Sequence, residues 1–221
     1  MMKLIVDNKE IEVKEGTTLL QACLDNDIYI PNMCWLEEMA EPPVSCRMCF
    51  VEIEGEDKPV ASCAVKVKNG MIVKTDTLEV RRLQRSAFQL LLSVHRLECG
   101  RCPANKKCVL QQIARFLKVG LKPKRLERYL KDRELEDGHP FFNYYPNRCI
   151  LCGKCVYICR KQRARPHLSF AHRGMDTEIS FFGENDDSTP PCENCLACVE
   201  VCPVGAITLK NESHETVSAK K

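Results

Sequence analysis

Sixteen cysteines in 221 residues set the chemistry open to this chain. The last eight form two runs, Cys149-x2-Cys152-x2-Cys155-x3-Cys159 and Cys192-x2-Cys195-x2-Cys198-x3-Cys202-Pro203. Runs of this form ligate two [4Fe–4S] clusters, with the fourth cysteine of each run serving the other cluster. One cluster therefore falls to Cys149, Cys152, Cys155 and Cys202, and the other to Cys192, Cys195, Cys198 and Cys159. Two intervening residues let a loop wrap three irons while backbone N–H groups turn toward the sulfurs. CxxC alone also suits structural zinc. Four evenly spaced cysteines, twice, with Pro203 after the second set, favour iron–sulfur. The first run carries Arg160 where the motif has proline.

The middle constellation is His95-x3-Cys99-x2-Cys102-x5-Cys108. A cubane needs four protein ligands, and His95 stands one helical turn before Cys99. The reading is a His/Cys3 [4Fe–4S] centre, with a Cys3His zinc site as the alternative. The first set, Cys34-x11-Cys46-x2-Cys49-x13-Cys63, departs from the plant-type spacing. Four cysteines on loops of one small unit still favour a [2Fe–2S] cluster over unrelated core thiols. Cys23 is left over on the apolar face of a helix, which makes it a core residue.

Composition narrows the class. The first ten residues hold no apolar signal core, and the longest apolar run is five residues, Cys155 to Cys159. A membrane span is not expected, and a cytoplasmic chain this rich in cysteine points to metal rather than disulfides. The formal charge of +3 counts every thiol as neutral. Ligation by three four-cysteine clusters (about −2 each) and one histidine-bearing cluster (about −1) brings it to roughly −4. The basic pI is therefore no argument for nucleic acid.

The elements that must position these residues are legible from periodicity. Leu4-Ile5-Val6 and Ile11-Glu12-Val13 flank an Asp7-Asn8 turn. Thr18 and Gln21 have capping-box spacing for a helix that ends before Pro31. Further strands are predicted at Phe50 to Glu54, Val60 to Val67 and Met71 to Val73. A long helix follows Asp76-Thr77 with an apolar stripe through Leu83, Ala87, Leu90, Leu91 and Val94, and a second spans Lys107 to Leu117. The charged stretch from Lys118 to Gly138 reads as an exposed helix or connector. From Asn147 to Ile207 a Cys-rich unit recurs with an insertion between its halves, and a polar tail, expected to be disordered, closes the chain.

The strings Ile30-Pro31-Asn32-Met33-Cys34-Trp35, Ser45-Cys46-Arg47-Met48-Cys49-Phe50-Val51-Glu52-Ile53-Glu54-Gly55 and Arg148-Cys149-Ile150-Leu151-Cys152-Gly153-Lys154-Cys155 carry a family resemblance. With the order of the cysteine sets, the chain resembles an amino-terminal module shared by three families. These are the complex I large iron–sulfur subunit, the [FeFe]-hydrogenases, and the diaphorase iron–sulfur subunit of NAD(P)-linked soluble [NiFe]-hydrogenases. The resemblance implies an α+β chain with a β-grasp [2Fe–2S] ferredoxin domain at 1–75 and a helical His/Cys3 [4Fe–4S] domain at 76–118. A charged connector at 119–140, a two-[4Fe–4S] ferredoxin domain at 141–209 and a tail at 210–221 complete it. It also implies the [2Fe–2S] assignment for Cys34, Cys46, Cys49 and Cys63.

The sequence runs 19 residues past Cys202, and neither a hydrogen-activating nor a molybdopterin region is expected in that length. The expectation is a stand-alone electron wire, non-catalytic by itself. Its expected partners are a flavin subunit that handles NAD(P) and hydrogenase subunits, in a hetero-oligomer. The same wire in an electron-bifurcating hydrogenase or an NAD-dependent formate dehydrogenase, or a free multicluster ferredoxin, are the alternatives. No GxGxxG, P-loop or GxSxG motif supplies substrate chemistry. Arg160, Arg163, Arg165, Arg173, His167 and His172 make the insertion basic, which reads as a solvated loop or as a docking face for an acidic partner.

Overall fold

A computed structural model describes residues 1–123, 126–162, 166–182 and 192–210. The chain divides into two units, Met1–Ser93 with Val109–Glu127, and Val94–Cys108 with Arg128 onward.

In the first unit the alternation of Met2–Val6 (β1) and Lys9–Val13 (β2) turns Leu4, Val6, Ile11 and Val13 to one face, where all four are buried. The strands pair antiparallel through Asp7 and Asn8, whose φ of 47° and 70° are what a two-residue turn with both central residues left-handed requires. Leu19–Leu24 (α1) follows. Thr18 caps it by accepting from the Gln21 N–H at 3.3 Å, so half of the predicted capping box is formed. Leu19, Leu20, Ala22 and Cys23 are buried against the sheet residues.

Phe50–Ile53 (β3), Val60–Ala61 (β4) and Met71–Lys74 (β5) complete a five-stranded sheet of order β2-β1-β5-β3-β4. Only β1 and β5 run parallel. The strand expected over Val60 to Val67 stops after Ala61, because a 3-10 turn at Ser62–Ala64 takes over. Ser62 holds that turn by donating both its N–H and its Oγ–H to the Cys49 carbonyl, at 2.9 and 2.8 Å.

Leu78–Ser93 (α2) begins where Thr77 Oγ1 accepts from the Val80 N–H at 3.1 Å. Its buried face is Val80, Gln84, Ala87, Phe88 and Leu92. The expected stripe is thus rotated: Leu90 is 59% exposed, and Phe88, the largest apolar side chain of the helix, takes the inward position. Val109–Leu117 (α3) buries Leu110, Ile113, Ala114 and Leu117. Arg85 donates to the Leu117 carbonyl at 3.3 Å, and Arg81 lies over the Phe116 ring at 4.1 Å, joining α3 to α2.

The second unit holds two short antiparallel pairs. Phe142–Tyr144 (β6) pairs with Ile207–Leu209 (β9), and Leu168–Ala171 (β7) with Glu178–Phe181 (β8). Its helices are Lys154–Gln162 (α4), Cys192–Cys195 (α5) and Ala197–Glu200 (α6). The charged stretch forms no helix among its described residues; Leu126 and Tyr129 stay exposed, and Glu136 bridges to Tyr144.

The basic insertion is in part the β7–β8 hairpin. Arg160, His172 and Arg173 are exposed, but His167 is buried, so it leaves the proposed basic face. Arg163, Arg165 and the tail from 211 lie outside the described residues. Gly205, at φ +64°, lets the segment after Cys202 approach the loop between Cys102 and Cys108: a Cβ there would stand 2.8 Å from the Ala104 Cβ.

Gly205→Ala should therefore destabilise the protein by about 1–3 kcal/mol through overpacking and left-handed strain. Pairing it with Ala104→Gly should restore only the overpacking share. Chemical-denaturation midpoints of the three variants test this; equal stability of Gly205→Ala and wild type would contradict it.

Candidate metal centres

No disulfide joins any of the sixteen cysteines. In the first unit Cys34, Cys46, Cys49 and Cys63 are buried. Cys46 and Cys49 lie at the end of a loop in which Val44 and Arg47 both take φ of 52°, a costly conformation for non-glycine residues that curls backbone N–H groups inward. Cys63 sits in the 3-10 turn that Ser62 ties to Cys49.

The Cys34 and Cys46 sulfurs share a hydrogen bond at 3.4 Å. That bond holds Cys34 down to about 5 and pushes Cys46 up. A bond from Cys63 likewise holds Cys49 down to about 7 while Cys63 rises. Backbone N–H groups of Cys46 and Ser45 reach Cys34, that of Met48 reaches Cys46, and that of Cys63 reaches Cys49. The four thiols thus form two mutually felt pairs, Cys34 with Cys46 and Cys49 with Cys63. Cys23 stands apart on α1, fully buried, its thiol pushed up to about 12 by burial and then by the charge of Asp7.

His95 is the best-defined member of the middle set. Its Nδ1 lies 2.9 Å from the Arg148 carbonyl oxygen. A carbonyl only accepts, so Nδ1 carries the proton and Nε2 keeps its lone pair, the arrangement that orients a metal-binding imidazole. Burial lowers its pKa to about 4, so the ring is neutral at pH 7. Cys99, Cys102 and Cys108 follow on tight turns, with Cys102 N–H donating to Cys99 O at 3.2 Å and Asn105 N–H to Cys102 O at 2.9 Å. Cys102 Sγ approaches the Val204 carbonyl at 4.0 Å.

The last eight cysteines line two small pockets. The first is bordered by Cys149, Cys152, Cys155 and Cys202; the second by Cys159, Cys192, Cys195 and Cys198. Helix α4 crosses between them, carrying Cys155 and Cys159 one turn apart. Burial pushes Cys149 up to about 11 against hydrogen bonds from Tyr144 and Leu151, and Cys152 up to about 12 against one from the Lys154 backbone; burial and the neighbouring cysteines push Cys155 well above the usual thiol range. Cys198 is pushed up to about 12 by burial and by Cys159, Cys192 and Cys195.

Amides already point at the sulfurs: Leu151 N–H at Cys149 (3.4 Å), Ala206 N–H at Cys202 (3.2 Å) and His167 N–H at Cys159 (3.3 Å). Among the described residues no three His, Cys, Asp or Glu side chains close tightly enough for one metal ion; the thiols surround space instead.

Three lining residues carry no metal-ligating signal of their own in the sequence. Tyr144 accepts from the Ile179 N–H at 3.2 Å and donates to Cys149 in the first cavity. His139 and His167 border the second. Proximity to a cysteine run is the only hint for Tyr144 and His167, and His139 is a histidine without ligand spacing.

Three families match consecutive stretches of the chain. Residues 1–78 match the 2Fe-2S iron-sulfur cluster binding domain, 84–121 the NADH-ubiquinone oxidoreductase-G iron-sulfur binding region, and 139–208 the ferredoxin-like domain of NADH-quinone oxidoreductase subunit 3. The α+β fold thus matches one 2Fe-2S cluster binding domain ahead of iron–sulfur and ferredoxin-like regions.

Its relatives make the likeness more particular. The NADPH-Fe(3+) oxidoreductase subunit alpha of Geobacter sulfurreducens is 35% identical over 211 residues, 95% of this chain and 24% of that protein. The NADH-ubiquinone oxidoreductase 75 kDa subunit of Reclinomonas americana is 35% identical over 210 residues, 95% of this chain and 30% of that one. The chain thus spans about a quarter to a third of these curated relatives. A chain in the crystal structure of NAD+-reducing [NiFe]-hydrogenase in the H2-reduced state superposes with a TM-score of 0.83 at 28% identity, covering 97% of this chain and 90% of that one. The chain resembles the iron–sulfur module of complex I and NAD-linked hydrogenases, as the order of its cysteines implies.

His95→Ala should lower the iron content of anaerobically purified protein by up to one [4Fe–4S] cluster, while Cys23→Ser leaves it unchanged. Iron analysis of both variants checks this; unchanged iron content and an unchanged cluster spectrum in His95→Ala would count against His95 as a ligand.

Proposed function

We propose that this chain is the electron-relay subunit of an NAD(P)-linked hydrogenase, joining a flavin subunit that handles NAD(P) to a hydrogenase module in a cytoplasmic hetero-oligomer. The reading assigns a [2Fe–2S] cluster to Cys34, Cys46, Cys49 and Cys63 on a β-grasp domain at 1–75. It assigns a [4Fe–4S] cluster to His95, Cys99, Cys102 and Cys108 in the segment 76–118. Two more go to a ferredoxin domain at 141–209, on Cys149, Cys152, Cys155 with Cys202, and on Cys192, Cys195, Cys198 with Cys159. When bound, such clusters supply one-electron transfer without substrate chemistry.

The observation that carries the reading is the exchange of fourth ligands between the two cavities. Cys202 borders the cavity of the first run and Cys159 that of the second, the crossed pattern required for a pair of clusters. Four thiols lining the wall of one pocket suit a group whose several irons each take one sulfur. A zinc ion draws four donors to about 2.3 Å of one point. The chain's own residues exclude water with apolar walls, hold the histidine in its ligating tautomer and present amides to the sulfurs.

Two further features support the assembly. The hydrogenase chain matches this one over nearly the full length of both. Among the described residues no helix is long and apolar enough to cross a membrane.

Anaerobic native purification tests the proposal. The expected result is fixed-ratio recovery with a flavin protein and a [NiFe] large and small subunit. Recovery with a hydrogen- or formate-activating catalyst of another kind would move the function to a bifurcating hydrogenase or formate dehydrogenase. Recovery as a lone brown monomer would make it a diffusing ferredoxin.

A further inference from the structure

The geometry points to His139 as a positioning residue that raises the reduction potential of the cluster held by Cys159, Cys192, Cys195 and Cys198, by donating its Nε2–H to a sulfur of that site. This rests on the cluster assignment proposed above.

His139 lies outside every ligand set, yet its ring borders the second cavity beside those four cysteines. Two backbone donors fix its tautomer: the N–H groups of Phe141 and Phe142 both reach His139 Nδ1, at 3.2 and 3.3 Å. A nitrogen that accepts two hydrogen bonds carries no proton, so in the neutral ring the proton sits on Nε2. The ring plane is fixed as well. It stacks on Phe142 with centroids 4.7 Å apart and planes 13° apart, and Phe181 closes in at 5.0 Å. A neutral imidazole so held can serve a sulfur site only as a donor.

A donor to a ligand or cluster sulfur stabilises the reduced, more negative state and so raises the potential. The neighbouring cavity has a different donor, the Tyr144 hydroxyl at Cys149. Phe142 and Tyr144 stand two apart on β6, so one strand borders both cavities. Two ligand sets of the same composition are thereby given separate donors.

The test is an EPR-monitored redox titration of the anaerobically purified protein carrying His139→Gln or His139→Met. These side chains are of similar length, but only glutamine keeps an N–H. Cys192→Ser marks the signal that belongs to this site. His139→Met should lower that midpoint potential, with a shift of about tenfold in the reduction equilibrium, 59 mV for one electron. His139→Gln should stay near wild type, and the other signals should not move.

Equal potentials in the two variants and wild type would overturn the donor role. So would loss of the cluster in both, which would make His139 a structural wall. If Cys192→Ser alters no [4Fe–4S] signal, the cluster assignment itself fails, independently of the two His139 variants.

Discussion

Four thiols buried together in an apolar cavity cannot all ionise unless positive charge sits among them. Desolvation and mutual repulsion both favour the protonated form. The second unit is built on that conflict. Among its described residues the sheets have two strands each, and cysteines make up much of the buried apolar set. Metal binding would relieve the conflict and contribute folding free energy in the same step. On the proposed assignment the sulfur sites are the core of this unit.

The first unit solves the problem differently. A continuous apolar core of sheet and α1 exists apart from the thiols, and Cys23 belongs to it. The four candidate ligands occupy loops at its margin, where left-handed backbone at Val44 and Arg47 turns amides toward sulfur. Here the protein fold supports the site, whereas on the proposed assignment the sites of the second unit support the fold. His95 lies in the second unit: its orientation depends on the backbone carbonyl of Arg148, the residue before Cys149, so two candidate ligand sets are tied through one hydrogen bond.

What can be read from the sequence follows from how local each signal is. The β1–β2 hairpin, the Thr18 cap and the CxxCxxC runs are set by neighbours in the chain, and the crossed membership of Cys159 and Cys202 follows from a spacing rule. The buried face of α2 departs from its apolar periodicity because tertiary packing, led by Phe88, chooses which residues turn inward. The strand at Val60 is shorter than its composition suggests because the Ser62 bonds to the Cys49 carbonyl are contacts between distant residues. Tyr144 and His139 escape a sequence reading, and His167 reads there as part of a basic face, because their place depends on how β6, the β7–β8 hairpin and α5 come together, which no spacing announces.

The central claim is that fifteen of the sixteen cysteines, together with His95, hold four clusters rather than single ions. Iron and acid-labile sulfide analysis of anaerobically purified protein, read with Mössbauer spectroscopy, tests it most directly. One [2Fe–2S] and three [4Fe–4S] clusters predict about fourteen irons and as many sulfides per chain, with both cluster types resolved. Stoichiometric zinc without labile sulfide would contradict the account.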